Sequence, residues 1–317
     1  MSNADTILAA IHQSSGLTDA ELVGLTGIEP HQQVNQICNR LARNGRIRRE
    51  RDSGGLFVNR PVLSRLNSSQ FATLEATTSH GKSFATGMRP ARLSDLEALD
   101  PSATLLVIAC SGSKVQNAHV PSTAFGPSIM ESLPENLANE LRPARAAVRK
   151  RAVFDERTLL PALNRYSGGF YQAAGDQLAR AVEHGAHVLI ISGGYGVLTV
   201  REPIGWYNAT FSPSWWPGNI VAECLSAYAA SHDLRFVLAF LAASTGYARA
   251  FRGLGRVRGS GRLDRVFLVS AVADDVGGAM RKVPHSLGEA VAAHVRRELK
   301  PGWRSSDGLD LIVSQVR

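Results

Sequence analysis

The residue types best able to do chemistry gather in one stretch, residues 188–211, VLIISGGYGVLTVREPIGWYNATF. The apolar run Val188-Leu189-Ile190-Ile191 breaks into Ser192-Gly193-Gly194-Tyr195-Gly196, and Arg201, Glu202, Trp206, Tyr207 and Asn208 follow. Glycines this dense let the backbone turn sharply and approach a ligand closely. Glu202 is the nearest acid to that turn. Earlier in the chain, Lys114 follows Ser111-Gly112-Ser113. Backbone amides of such a turn, with an ammonium beside them, can hold a phosphate; a solvent-exposed loop lysine explains the pattern equally well. Cys110 stands at the same turn as a candidate nucleophile, although a small buried side chain is the simpler account of it.

The elements that would position these residues are strands of a buried sheet. Residues 105–109 (LLVIA), 188–191, 236–240 (FVLAF) and 266–269 (VFLV) are continuous apolar runs, as expected of strands covered on both faces. Helical patterns alternate with them, which predicts an α/β domain over 101–317 with a mostly parallel sheet flanked by helices. The strand ends CSGSK, SGGYG, STGY and SAVADD then fall on one edge, where open α/β sheets bind ligands.

Ahead of this lies a different unit. Residues 5–61 read as three helices and a hairpin. Thr18-Asp19-Ala20-Glu21 is a capping box, Gly27 and Gly45 end helices, and Val34, Ile37, Cys38 and Leu41 recur at core spacing. The opposite face of the third helix carries His31, Gln32, Gln33, Asn35, Gln36, Asn39, Arg40 and Arg43, types that bond base edges and phosphates. Arg46, Arg48, Arg49 and Arg51 line the hairpin arm before a tip at Asp52-Ser53-Gly54-Gly55. This order resembles a winged helix-turn-helix domain (residues 1–65), which implies duplex DNA as partner, with the third helix in the major groove. The plainer account is a winged helix used only for protein contacts. Residues 66–100 read as a linker with one short helix near 92–99.

Bulk properties narrow the class. A net charge of +8 points toward a polyanion. Three cysteines without a CxxC pair argue against a disulfide framework and a cysteine zinc site, and favour a cytoplasmic setting. No signal peptide and no membrane-spanning run is legible. Ser111–Lys114 lacks the upstream glycine of a P-loop, no G-x-S-x-G elbow occurs, and Gly253-Leu254-Gly255 lacks the third glycine of a dinucleotide fingerprint.

The runs RYSGGFYQ (165–172), ISGGYGVL (191–198), Pro203-Ile204 and Tyr207 resemble the YaaA family, and the CSGSK strand end is similar to the related DUF6884 domains. The shared pattern covers about residues 105–211. Members of that family are associated with peroxide stress and DNA binding, and the group resembles base-excising enzymes in outline. With a winged helix in front, the chain is similar to anti-phage DNA glycosylases acting on glucosylated hydroxymethylcytosine. The resemblance implies a DNA glycosylase that excises a modified base from phage DNA and leaves abasic sites, with no metal or cofactor. The alternatives are a non-enzymatic DNA-binding stress or regulatory protein with a ligand-sensing pocket, and a base-exchange transferase.

The residues are compatible with base excision. An extruded base must be gripped between flat side chains, for which Tyr166, Tyr171, Tyr195, Trp206, Tyr207, Trp215 and Trp216 are candidates. Ser111, Ser113, Lys114, Gly194 and Gly196 would line the same pocket. Asn208 can donate and accept along a base edge. Glu202 is the candidate acid for the oxocarbenium-like sugar, with Asn208 and Tyr195 beside it, and Asp274 and Asp275 come from another strand end. For any single one of these acids, an ordinary surface acid or a helix cap is the plainer account. Arg249, Arg252, Arg256, Arg258, Arg262 and Arg265 alternate with glycines, a pattern suited to a phosphate backbone.

Overall fold

The computed structural model describes residues 3–14, 16–29, 31–51, 57–61, 88–257, 263–272 and 279–316. The hairpin tip at 52–55, the larger part of the expected linker, and Arg258, Arg262, Asp274 and Asp275 lie outside them. The chain divides into two compact units, Met1–Lys82 and Ser83–Arg317.

The first unit packs helices Asn3–Gln13, Asp19–Thr26 and His31–Arg43 on an antiparallel sheet of β1 (Leu17–Thr18), β2 (Ile47–Arg51) and β3 (Phe57–Pro61), in the order β1-β3-β2. Glu21 N–H donates to Thr18 Oγ1 at 3.3 Å while Thr18 N–H donates back to Glu21 Oε2 at 2.7 Å, and Gly27 closes that helix at φ +64°. Ile7, Ile11, Leu22, Val34, Cys38 and Leu41 fill the core. The sequence predicts these elements correctly but misassigns one arginine. Side chains alternate across a strand, so Arg48 points outward (71% exposed) while Arg49 turns inward (5% exposed). Arg49 pairs with buried Asp19 and donates to the Asn35 carbonyl and to Asn39 Oδ1, each at 3.0 Å. Asn35 and Asn59 also donate to Asp19, at 2.7 and 2.9 Å. Arg49, Asn35 and Asn39, expected on the DNA-facing side, are instead committed to holding the third helix against the sheet. Gln32 and Gln36 are exposed, and Gln33 and Arg40 are half-buried.

The second unit is built on β4 (Arg89–Ala91), β5 (Thr104–Ala109), β7 (His187–Ser192), β8 (Gly196–Thr199), β10 (Phe236–Phe240), β11 (Arg265–Ala271) and β12 (Leu311–Gln315), in the order β4-β12-β11-β10-β5-β7-β8. The four expected strands are present as β5, β7, β10 and β11, and they run parallel. The sheet is nevertheless mixed, because β12, β4 and β8 add antiparallel edges. Residues 89–100, expected in the linker, belong to this unit. Arg89-Pro90-Ala91 is too short and polar to announce a strand, yet it pairs with β12 at the sheet edge, where proline is tolerated. The helix expected at 92–99 is the single turn Ser94–Glu97. A separate ribbon joins β6 (Val153–Pro161) to β9 (Pro203–Asn208).

Each face of the sheet has its own core. Leu105, Val107, Leu189, Ile191 and Val237 meet the helices Glu135–Arg149 and Ile220–Ser231, while Leu106, Ile108, Ile190 and Leu238 meet Gly169–Glu183 and Ala279–Val295. That double burial explains why the strand sequences show no alternation.

His294 is half-buried on the helix Ala279–Val295, 5.9 Å from the Phe240 ring, and burial pushes its imidazole down from 6.5 to about 4. The unfolded chain takes up a proton near 6.5 that the fold refuses until about 4, so stability is lost as pH falls through that window. His294→Leu is expected to remove on the order of 3 kcal/mol of this acid loss, read from urea unfolding above and below the window. An unchanged pH dependence would contradict it.

Candidate active site

Chain order makes the carboxyl edge of β5 special. From β5 the chain moves to β7 on one side, then crosses back to β10 and β11 on the other. The crevice between the ends of β5 and β10 is therefore a topological switch point, where the flanking connections leave in opposite directions and open a gap.

Two turns cover this edge. The turn after β5 is tied to the approach of the helix Gly169–Glu183: Val115 N–H donates to the Arg165 carbonyl at 2.8 Å and Ser167 N–H to the Ser113 carbonyl at 3.1 Å. Ser111 Oγ accepts from Ser113 N–H at 3.1 Å and fills the space a Cβ on Gly168 would need. Arg165, fully buried, donates to the carbonyls of Gln116 (2.8 Å), Thr158 (2.6 Å), Ile204 (3.3 Å) and Val115. It thereby pins three chain segments beneath the site. Nothing but its place in RYSGG marked it in the sequence.

The second turn is 192–196. A Cβ at Gly194 would meet the Tyr207 ring at 2.7 Å, and Gly196, at φ +75°, lies against the Trp216 ring. These glycines serve close packing by aromatic rings rather than approach by a ligand. Under the turn, hydroxyls converge: Tyr166 OH lies 2.8 Å from Tyr207 OH, and Ser192 Oγ lies 2.9 Å from Tyr207 OH. Ser192 Oγ also accepts from Tyr195 N–H at 3.2 Å. Tyr171 OH donates to the Ala109 carbonyl at 2.8 Å. Burial raises the phenols of Tyr166, Tyr171 and Tyr207 well above the usual range, so they stay protonated as donors.

At the mouth of this cluster sit Cys110, Lys114 and Tyr247. Cys110 Sγ is 3.2 Å from Tyr247 OH and accepts from Gly193 N–H at 3.4 Å, bridging the ends of β5, β7 and β10. Cys110 is a half-buried residue, whereas Cys38 and Cys224 are buried. The account of Cys110 as simply a small buried residue is therefore incomplete. Ser192 and Tyr247 are further residues that composition alone did not single out. Lys114 Nζ stands 4.1 Å from the Tyr207 ring centroid and donates to the Gly112 carbonyl at 3.4 Å. Burial lowers its pKa, Cys110 opposes that shift, and Arg165 adds to it.

Glu202 belongs elsewhere. Buried to 4% exposure, it accepts from Arg145 Nη1 (2.7 Å), Ser128 Oγ (2.9 Å), Ile129 N–H (3.0 Å) and Thr199 N–H (3.4 Å). Donors on every side leave it a fastening role, so the expected catalytic acid faces protein rather than a substrate. Arg145 completes the fastening through the carbonyls of Tyr195 (2.8 Å) and Val197 (2.7 Å). Tyr195 donates to Glu156 and accepts from Gly205 N–H, each at 3.1 Å, and burial first, with Glu156 adding, pushes its phenol up to about 12. Asn208 is exposed at the end of β9, opposite Val153, and Trp206 is half-buried opposite Asp155. The structure thus brings together Ser111, Ser113, Lys114, Tyr166, Tyr171 and Tyr207. Of the triad expected of Glu202, Asn208 and Tyr195, only Tyr195 packs against this group, on the Tyr207 ring at 5.5 Å, while Glu202 is committed to Arg145 and Asn208 is exposed at the strand end.

The aromatic platform changes too. Tyr166, Tyr171, Tyr195 and Tyr207 pack on one another with centroids 5.2–6.5 Å apart, and Trp216 is buried. Half-buried Tyr247 stands at the site beside Cys110, and Trp206 and Trp215 are also half-buried. Of the arginines expected at phosphates, Arg252 donates to the Ala243 carbonyl at 2.7 Å beyond β10, and Arg256 is exposed.

Two surface clefts lie away from this edge. One is lined by Glu131, Glu223, Ser226 and His232; the other, at the amino edge of the sheet, by Asp100, Gln177, Arg180, His184, His294 and Arg297. The second cleft lies at the carboxyl ends of Gly169–Glu183 and Ala279–Val295, where the helix dipole favours cations, in keeping with its basic lining. Among the described residues no group of three or more His, Cys, Asp or Glu could hold a metal, and no helix is long and apolar enough to cross a membrane.

Compared with protein-family models, with curated proteins and with solved structures, the chain matches none. The likeness to the YaaA and DUF6884 families rests on the quoted motifs alone.

Breaking a buried ion pair leaves one charge uncompensated, typically at a cost of about 3 kcal/mol or more. Glu202→Gln is therefore expected to destabilise the second unit by about that amount and to lower its thermal midpoint. Any activity is expected to survive below the new midpoint. A stable but inactive Glu202→Gln protein would return Glu202 to the chemistry.

Proposed function

We propose that the chain is a DNA glycosylase. In this reading the first unit is a winged helix-turn-helix that holds duplex DNA, and the crevice at the carboxyl ends of β5, β7 and β10 receives a base extruded from the stack. The observation that carries it is the meeting, at a topological switch point, of an amine, a thiol and a bank of protonated phenols. Such donors suit a departing base, which leaves with the electron pair of the glycosidic bond and must be protonated or hydrogen-bonded. The first unit supports the same reading. Gln32 and Gln36 on the third helix and Arg48 on the strand beside it are exposed, in a chain of net charge +8. The resemblance supplies the substrate class, a hypermodified pyrimidine such as glucosylated hydroxymethylcytosine in phage DNA.

The test incubates the full chain with modified and unmodified phage DNA and scores abasic sites. Abasic sites in modified DNA alone, with no second substrate added, are the expected result. Binding with every glycosidic bond intact would leave a DNA-binding regulator, and dependence on an added free base would make it a transferase. In the same assay Arg48→Ala is expected to weaken binding and reduce the log–log salt slope by about 1, without unfolding. Arg49→Ala is expected to lose binding by unfolding the first unit.

A further inference from the structure

Half-buried Lys114 stands at the mouth of the phenol cluster, and its surroundings hold it there as a cation. Nζ lies 4.1 Å from the centre of the Tyr207 ring and 5.9 Å from that of Tyr166, and it donates to the Gly112 carbonyl at 3.4 Å. Aromatic faces and a carbonyl all favour an ammonium over a free amine. The backbone is fixed as well. Lys114 and Tyr166 form an antiparallel bridge, and Ser167 N–H donates to the Ser113 carbonyl at 3.1 Å.

The same turn is shaped for an anion. An ammonium has three donors, and a carbonyl on one side with a ring face on another leaves a donor for the crevice. The Arg165 guanidinium acts on Lys114 through its like charge, and an anion at the rim relieves that repulsion. A Cβ on Gly112 would meet no described residue within 4 Å, so the turn is open above that glycine. Half-buried Ser111 and exposed Ser113 flank it with hydroxyls. Behind the ammonium Tyr166 and Tyr207 are buried, which places an anion at the rim and not among the phenols. An ammonium with hydroxyls on a glycine turn suits the oxygens of a phosphate.

Resting on the glycosylase reading, we propose that Lys114, with Ser111 and Ser113, binds a phosphodiester beside the extruded nucleotide and anchors the strand while the base enters the crevice. Lys114 is then a substrate-binding residue. It sets affinity and register, and the thiol and phenols are left to the base.

The experiment removes the charge from either side of the contact. Duplexes carrying the modified base are made with one methylphosphonate at a time on the 5′ and 3′ sides of that nucleotide, and excision by the full chain is measured. At one position the neutral linkage is expected to lower kcat/KM by about tenfold to a hundredfold, chiefly through KM. Lys114→Met is expected to lose as much on unsubstituted DNA, to lose nothing further from that methylphosphonate, and to bind with a log–log salt slope smaller by about 1. Lys114→Arg, which keeps the charge, is expected to retain most of the activity. Methylphosphonate losses that add fully to that of Lys114→Met at every position, no sensitive position for the parent chain, or a loss confined to kcat would each overturn the anchor and leave the glycosylase reading intact. A parent chain that excises nothing would overturn that reading, and the salt slope then decides the anchor alone: a slope unchanged by Lys114→Met overturns it, and a slope smaller by about 1 upholds it.

Discussion

Arg145 reaches from the helix Glu135–Arg149 into the turn after β7 and holds it by the carbonyls of Tyr195 and Val197 and by the carboxylate of Glu202. These three bonds fix the course of residues 195–202, which carry β8 to the sheet edge and feed β9 back along the ribbon. Tyr207 on β9 is consequently delivered under the turn, within reach of Tyr166 and Ser192. The phenol cluster, and the amine lying over Tyr207, depend on that clamp. A guanidinium suits the task because its planar fork satisfies carbonyls and a carboxylate together. Arg165 repeats the device on the other side, bonding only carbonyls. Two arginines that read as generic basic residues thus act as internal staples.

The legible part of the fold was the part set by repetition. Apolar runs gave the four parallel strands, caps gave the helices of the first unit, and strand-helix alternation placed the strand ends on one edge. What escaped was set by particular contacts. Arg89-Pro90-Ala91 becomes a strand only because β12 offers an edge, and the β6–β9 ribbon hides behind the polar run Asp155-Glu156-Arg157-Thr158. In the candidate site the sequence located the turns but not the roles. Glu202 looked like an available acid because its partners, Arg145 and Ser128, lie far away in the chain. Arg49 looked like a phosphate ligand because its neighbour Arg48 is one by type, and only the strand's alternation separates them. Cys110 and Tyr247 come from turns 137 residues apart, a juxtaposition that chain order does not reveal.

Each unit is held by buried polar contacts between its own elements. In the first, a buried Asp19–Arg49 pair with three asparagines holds the third helix in register while leaving Gln32, Gln36 and Arg48 outward. In the second, donors are already aligned before any ligand arrives, which spares reorganisation at the moment of reaction.

The central claim is that substrate enters the crevice between β5 and β10, and Cys110 reports on it directly. Of the three cysteines it alone is not fully buried. Alkylation by iodoacetamide, read by peptide mass spectrometry, should modify Cys110 in the free protein and slow strongly when DNA bearing the modified base is bound. Alkylation at an unchanged rate on a protein saturated with that DNA would show that the substrate lies elsewhere.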